Sequence, residues 1–400
     1  MSKTSFINNK WICGAIPALL LHCSIGTVYC WSLFKADIAS SLCCNLGAIE
    51  WAFSLAIFFL GMSAAFCGNI VEKNVKFSAL LSTLFFSIGM IGTGFSIIYQ
   101  SIIGLYLSYG VIMGIGLGIG YLTPVKTLML WFKDNKGLAT GIAITGFGLA
   151  KVIASPIIEY FQQINLPIEQ VFFILGGFYF IFMLLGAFLI KKPEKEAKIN
   201  AGEKIGFKKS LKIIFNPTYI AIWTVFFLNI TCGLALISQE KAILSSIGIT
   251  VGIGTIAALT AFFNSFGRFG YSTLSDKMKS RSTVYEVIFI TSFLSCFASF
   301  FINVLNITWF LPLIVILALF TTNLGYGGGF STLPSLLSDK FGLSNVSVIH
   351  GYCLSAWAWA GLVGNNLGLF IINTLGVPYL LLILSLLYLI SYFICTKLIK

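Results

Sequence analysis

Arg268 sits inside a run that otherwise reads as a membrane helix, Phe262-Phe263-Asn264-Ser265-Phe266-Gly267-Arg268-Phe269-Gly270. Lys151 lies mid-segment in a second apolar run, Gly146-Phe147-Gly148-Leu149-Ala150-Lys151-Val152-Ile153. No Asp or Glu is expected at comparable depth. A guanidinium presents a planar fork of donors that matches a carboxylate with two parallel bonds, and an ammonium is a compact point charge with three donors. A charge at the bilayer centre costs about 2.5–3.5 kcal/mol on insertion scales, so such a residue normally faces a cavity and serves a function. Two deep cations without a deep acid call for a counter-charge that comes and goes, and a small anion meets that need.

Each of these residues has a plainer reading beside the functional one. Arg268 could instead bond helix carbonyls or reach the headgroups. Lys151 could be held neutral by burial or bonded to carbonyls. Lys126, near one end of its span, is expected to snorkel, with a gate role as the alternative. His22 is expected to be a bonded core residue rather than a proton carrier, and His350 is open between the two. Other chemistry finds no support. The ten cysteines are scattered with no CxxC pair and no His at ligand spacing, and they read as small hydrophobes. No His/Asp/Glu cluster or nucleophile elbow occurs, so neither an enzyme nor a cofactor is expected. The ladder Gly114, Gly116, Gly118, Gly120 lacks a preceding strand and a following Lys-Ser/Thr, so it reads as close helix packing and not as a phosphate loop.

The elements that position these side chains follow from composition. Of 400 residues, 58% are apolar and 10% are charged, and mean hydropathy is +0.96. Only a bilayer can solvate that much apolar surface. Crossing the hydrocarbon layer takes about 20 apolar residues. Counted this way the chain offers 12 spans: 11–34, 49–70, 77–98, 101–130, 137–161, 170–190, 218–238, 248–272, 283–302, 307–333, 347–372 and 377–396. The first has full spanning length and no clear cleavage site, so it is kept as a helix and not as a secretory signal. Only Tyr99-Gln100 separates the third and fourth, which requires a tight turn there.

The net charge of +12 is topological. With the N-terminus inside, the inside segments hold 20 Lys and Arg, and the outside loops hold only Lys35 and Lys241. That asymmetry is a positive-inside signal placing both termini in the cytoplasm, and it removes nucleic acid as a partner. The longest polar stretch follows the sixth span. It divides the chain into an N-terminal six-helix bundle (1–190), a cytoplasmic linker (191–217) and a C-terminal six-helix bundle (218–400). Gly68-Asn69-Ile70-Val71-Glu72-Lys73 after the second span is echoed by Ser272-Thr273-Leu274-Ser275-Asp276-Lys277 after the eighth. Paired halves of this kind are how secondary transporters build two bundles that rock about a central site.

Those two turns look like degenerate copies of the G-x-x-x-D-R/K-x-G-R/K motif, and the chain resembles the major facilitator superfamily. Within it, several ordered blocks resemble the oxalate/formate antiporter family. They are Gly26-x-x-Tyr29-x-Trp31-Ser32-x-Phe34; Gly116-x-Gly118-x-Gly120-Tyr121-x-Thr123-Pro124, then Trp131-Phe132, Lys136-Gly137-Leu138-Ala139-Thr140-Gly141 and Gly146-Phe147-Gly148; Asn264-x-x-Gly267-Arg268 with Asp276; and Tyr326-Gly327-Gly328-Gly329-Phe330 with Pro334, Asp339, Phe341 and Gly342. The resemblance puts the family's binding arginine at Arg268. It also raises Tyr29, Trp31, Tyr121 and Tyr326 as lining residues of a central cavity. One departure concerns the eleventh span. The family pattern G-x-x-x-T-A-K-G carries a lysine for the second carboxylate of oxalate, and here Trp357 stands in its place in Gly351-Tyr352-Cys353-Leu354-Ser355-Ala356-Trp357-Ala358. Trp357 is expected either to fill the space or to stack on a cation, and Lys151 to supply the displaced charge.

The reading is therefore an all-α membrane protein of 12 helices, a secondary carrier that moves a small carboxylate by alternating access. A monocarboxylate such as formate, lactate or pyruvate is favoured. Oxalate/formate exchange is the alternative, and a non-transporting sensor on the same fold is a weaker one. The expected site is Arg268, Lys151, Tyr29, Trp31, Tyr121, Tyr326 and Trp357, with no metal. The expected setting is a monomer among lipids of a prokaryotic inner membrane.

Overall fold

The computed structural model describes residues 9–193, 212–343 and 346–399. Among these the chain forms twelve long helices and no strand. They are α1 (Trp11–Cys30), α2 (Leu46–Lys73), α3 (Val75–Ile98), α4 (Ile102–Trp131), α5 (Lys136–Gln163), α6 (Ile168–Leu189), α7 (Pro217–Ser246), α8 (Ile253–Ser275), α9 (Ser282–Val304), α10 (Leu311–Phe341), α11 (Val346–Leu375) and α12 (Val377–Leu398). Trp31–Ser41 continues α1 as helix. Most of the linker expected at 191–217 lies outside the described residues.

Local chemistry sets the helix ends. Asn74 Oδ1 accepts from the backbone N–H of Lys76 and Phe77 and starts α3, and Asn216 caps α7 by accepting from Thr218 N, with Pro217 in the first turn. Such caps satisfy amides that have no partner inside the helix. The expected tight turn between α3 and α4 is present, with Gln100 at φ 48° and Ser101 capping α4. At the α11–α12 corner the chain turns at Gly376 with φ 92°, a conformation that excludes side chains with a Cβ at ordinary cost.

Two boundaries differ from expectation and matter later. α7 continues past 238 to Ser246, taking in Glu240, and α10 continues past 333 to Phe341, taking in Asp339. Polar residues at the aqueous ends stay in helical register, so a hydropathy window stops short of the helix.

Eleven of the twelve helices are long and apolar enough to cross a membrane, and α8 is the exception. Its polar residues repeat at helical spacing: Thr260, Asn264, Arg268 and Ser272 are all buried, while Phe262, Phe266 and Phe269 are exposed. Residues four apart share one face, so α8 turns a polar stripe inward, and it packs on α5 and α10. The two sets of six helices meet chiefly where α2 packs on α11 and α5 on α8. Small residues allow the approach. A Cβ on Gly351 would stand 2.2 Å from the Ala64 carbonyl oxygen, and one on Gly61 would stand 2.7 Å from Ala358.

Candidate functional site

Arg268 is fully buried on the inward stripe of α8. Its Nε donates to Asn264 Oδ1 at 2.9 Å, one turn back on the same helix, and its Nη1 donates to the Ile144 carbonyl of α5 at 3.4 Å. Its Nη2 is buried and makes no hydrogen bond of ordinary geometry among the described residues, with the Tyr29 hydroxyl beside the guanidinium. The guanidinium carbon lies over two rings, 5.6 Å from the centroid of Phe147 and 5.3 Å from that of Phe330. Ring faces offset part of the cost of burying the charge. A donor of a charged group left bare in a dry interior still costs on the order of a few kcal/mol. Here that donor is available to an incoming acceptor.

Aromatic side chains from five helices close around this group. Phe330 and Trp357 are 4.5 Å apart between centroids, Tyr121 and Trp357 are 5.5 Å apart, and Phe147 and Trp357 are 5.9 Å apart. Tyr29 packs edge-on to Phe147 at 5.3 Å, and its hydroxyl lies 3.3 Å from that of Tyr326. Within this cage the Tyr121 hydroxyl, Trp357 Nε1 and His350 Nε2 are also buried without partners. Buried polar groups are nearly always bonded, so the unpartnered donors gathered in this cage make it the candidate binding place.

The structure thus brings together Arg268, Tyr29, Tyr121, Tyr326 and Trp357. Trp357 packs against the two rings that Arg268 overlies, so it fills space and is not itself the ring beneath the cation. Phe147 and Phe330 join the expected residues as walls of the cage, and both lie in the family-like runs Gly146-Phe147-Gly148 and Tyr326-Gly327-Gly328-Gly329-Phe330. His22 is a bonded core residue: its ring sits between the carbonyl oxygens of Ala143 and Tyr121 and stacks on the Tyr121 ring at 5.4 Å. His350 joins the cage through Tyr121, 6.0 Å away.

Lys151 and Trp31 lie outside the cage. Both line a cavity of about 150 Å³ whose walls also include Tyr29, Gly148, Asn264, Thr260 and Glu240. The cavity reaches from the part-exposed ion pair Lys35–Glu50 down to Asn264, the partner of Arg268. Trp31 packs on Tyr109 at 4.5 Å. Glu240, half-buried in the last turns of α7, brings an acid into the same cavity as Lys151 without reaching the depth of Arg268. Its Oε1 accepts from Thr260 Oγ1 at 2.8 Å, and Lys151 lines the same cavity.

The other end of the molecule is closed by ionic and backbone contacts. Asp276, in the turn after α8, accepts from the backbone N–H of Gly137 and Leu138 at the start of α5, both at 2.9 Å. Glu72, in the last turn of α2, accepts from Ser347 N at the start of α11 at 3.0 Å. Each echoed acid therefore caps a helix of the other set of six, where the bare amides and the helix dipole favour a negative charge. Arg281 bridges Asp276 and Asp339, and Asp339 also pairs with Lys136 at 2.9 Å. Lys126 is not a snorkelling residue. Its side chain is buried, 3.0 Å from Glu72 and 3.1 Å from the Leu343 carbonyl oxygen, so it ties the first six helices to the second. Lys192 donates to the Glu72 carbonyl oxygen at 2.6 Å, and burial holds its ammonium below the ordinary lysine value while Glu72 acts against that.

Residues 18–365 match the Major Facilitator Superfamily. The chain belongs to that superfamily. Its relatives include the oxalate:formate antiporter of Oxalobacter formigenes, 28% identical over 94% of this chain and 88% of the relative. The MFS-type transporter YhjX of Escherichia coli is 26% identical over 88% of this chain and 85% of the relative. Monocarboxylate transporter 12 of Mus musculus is 28% identical over 45% of this chain and 36% of the relative. Among solved structures, the proton:xylose symporter XylE bound to a bromodeoxyglucose superposes with a TM-score of 0.74 over 100% of this chain and 97% of its own at 11% identity. The fucose transporter FucP in its outward conformation gives 0.70 over 96% of this chain and 97% of its own at 15% identity. These two establish the superfamily fold of twelve helices in two six-helix bundles, and the chain is an integral membrane transporter of that superfamily.

Proposed function

We propose that the protein is a secondary carrier for small monocarboxylate anions, with formate, lactate and pyruvate as the class to test, and that Arg268 is the group that binds them. The observation carrying this is the bare, buried Nη2 of Arg268 inside an aromatic cage, with no carboxylate paired to it among the described residues. A carboxylate accepting from Nη2 supplies the missing partner and the missing charge at once. Tyr121 and Trp357 offer further donors to its second oxygen, and the aromatic walls exclude water. The relatives named for formate and for monocarboxylates fit this chemistry.

Transport follows by alternating access. A cavity leads toward Arg268 from one end, while the acid caps and the Arg281–Asp339–Lys136 pairs close the other. Rocking of 1–190 against 218–400 about the 191–217 linker exchanges which end is closed, with both termini cytoplasmic, in a prokaryotic inner membrane and as a monomer. An empty site leaves an unneutralised buried cation, which disfavours reorientation without ligand and so favours exchange over net flux. Oxalate/formate exchange is the second reading. The antiporter relative covering 94% of the chain favours it, and Trp357 in place of the helix-11 lysine counts against a dianion.

Counterflow into proteoliposomes tests the reading. Trapped formate, lactate or pyruvate is expected to accelerate uptake of labelled formate. Acceleration by trapped sugars or amines, with none by any carboxylate, contradicts it.

A further inference from the structure

Glu240 belongs to no quoted family block, and the cavity gives it a role. The charged residues lining the cavity are Lys35, Glu50, Lys151 and Glu240. Lys35 and Glu50 are paired at 2.5 Å. Glu240 is held by Thr260, which stands on the same α8 stripe as Asn264 and Arg268, and Lys151 stands across from it on α5. The lining charges therefore cancel, two against two. What remains uncompensated is Arg268 at the deep end, behind Asn264. Lys151 therefore shares its cavity with an acid, which offsets the charge it brings there.

We propose that Glu240 sets the charge of the transported anion: by balancing Lys151 it leaves a site of net charge +1, which accepts a monoanion and rejects a dianion. A second carboxylate directed up the cavity from Arg268 meets Glu240 as well as Lys151, and gains nothing from the pair. Neutralising Glu240 frees Lys151 for that second carboxylate, and neutralising Lys151 turns the cavity against any anion, the dianion most. This inference rests on the carboxylate reading of the site and refines it to valence.

The test is the ratio of oxalate to formate exchange, measured in the same proteoliposomes so that the fraction of active protein cancels. Glu240→Gln is expected to raise that ratio about tenfold or more, Lys151→Gln to lower it, and the double variant to return it to the wild-type value. The shift in thermal unfolding midpoint produced by each anion on purified protein reads the same preference without transport, and decides the matter for a variant that does not carry. A ratio unmoved by Glu240→Gln, or moved equally in the double variant, overturns the proposal while leaving Arg268 as the binding group. A wild-type protein that neither exchanges nor is stabilised by any carboxylate overturns both.

Discussion

Arg268 Nε donates to Asn264 Oδ1 at 2.9 Å across one turn of α8, and that bond holds the guanidinium while leaving Nη2 bare. Orientation and charge can be separated at this pair. Asn264→Ala removes the acceptor and keeps the charge, and a hydrogen bond to a charged group is worth about 1.5–3 kcal/mol. The KM for formate is expected to rise about tenfold or more in initial-rate exchange. Asn264→Asp is nearly isosteric but supplies a permanent carboxylate, which occupies the place of the substrate. It is expected to abolish exchange. An active Asn264→Asp protein would show that Arg268 does not bind the anion.

The caps at the closed end predict a bias toward one face. Asp276 accepts two α5 amides and pairs with Arg281, and a Cβ on Gly137 would stand 1.9 Å from the Ser272 carbonyl oxygen. Asp276→Asn weakens the cap by about 0.5–2 kcal/mol, and Gly137→Ala wedges α5 from α8. Both are expected to open this end. Ser335 is buried there, 3.3 Å from Thr140 across the two sets of helices. Thiol labelling of Ser335→Cys, above the background of the parent, is expected to quicken severalfold in either variant. Unchanged labelling would mean that these contacts do not hold the end shut.

Trp357 is fully buried against Phe330, Phe147 and Tyr121. Trp357→Lys creates a cavity and buries an ammonium, and truncating a buried tryptophan costs about 3–5 kcal/mol. The unfolding midpoint of the empty protein is expected to fall. Oxalate is then expected to restore it further than formate does, since it supplies two carboxylates to two cations. Equal restoration by both anions would show that position 357 does not face the ligand.

Much of this was legible in the sequence because the bilayer imposes a simple rule. Apolar runs of spanning length gave the helix count, and a lone Arg in such a run, at Arg268, had to face inward. The inward stripe of α8 could be read from the four-residue spacing of Thr260, Asn264, Arg268 and Ser272. Glu240 was missed because the polar last turns of α7 pull the local hydropathy below that of a span, although the helix continues. Lys126 was misread because its partner, Glu72, is far away in sequence and only the packing of α2 against α4 brings it near. Phe147 and Phe330 carried no signal of their own in a chain so rich in phenylalanine.

The central claim is that Arg268 supplies the charge that binds the anion, and it is tested most directly by counterflow of labelled formate with wild type, Arg268→Lys and Arg268→Ala side by side. The account predicts saturable exchange by wild type, a strongly raised KM in Arg268→Lys, which keeps the charge but loses the fork, and no exchange in Arg268→Ala. Formate exchange by Arg268→Ala at a KM near that of wild type would contradict it.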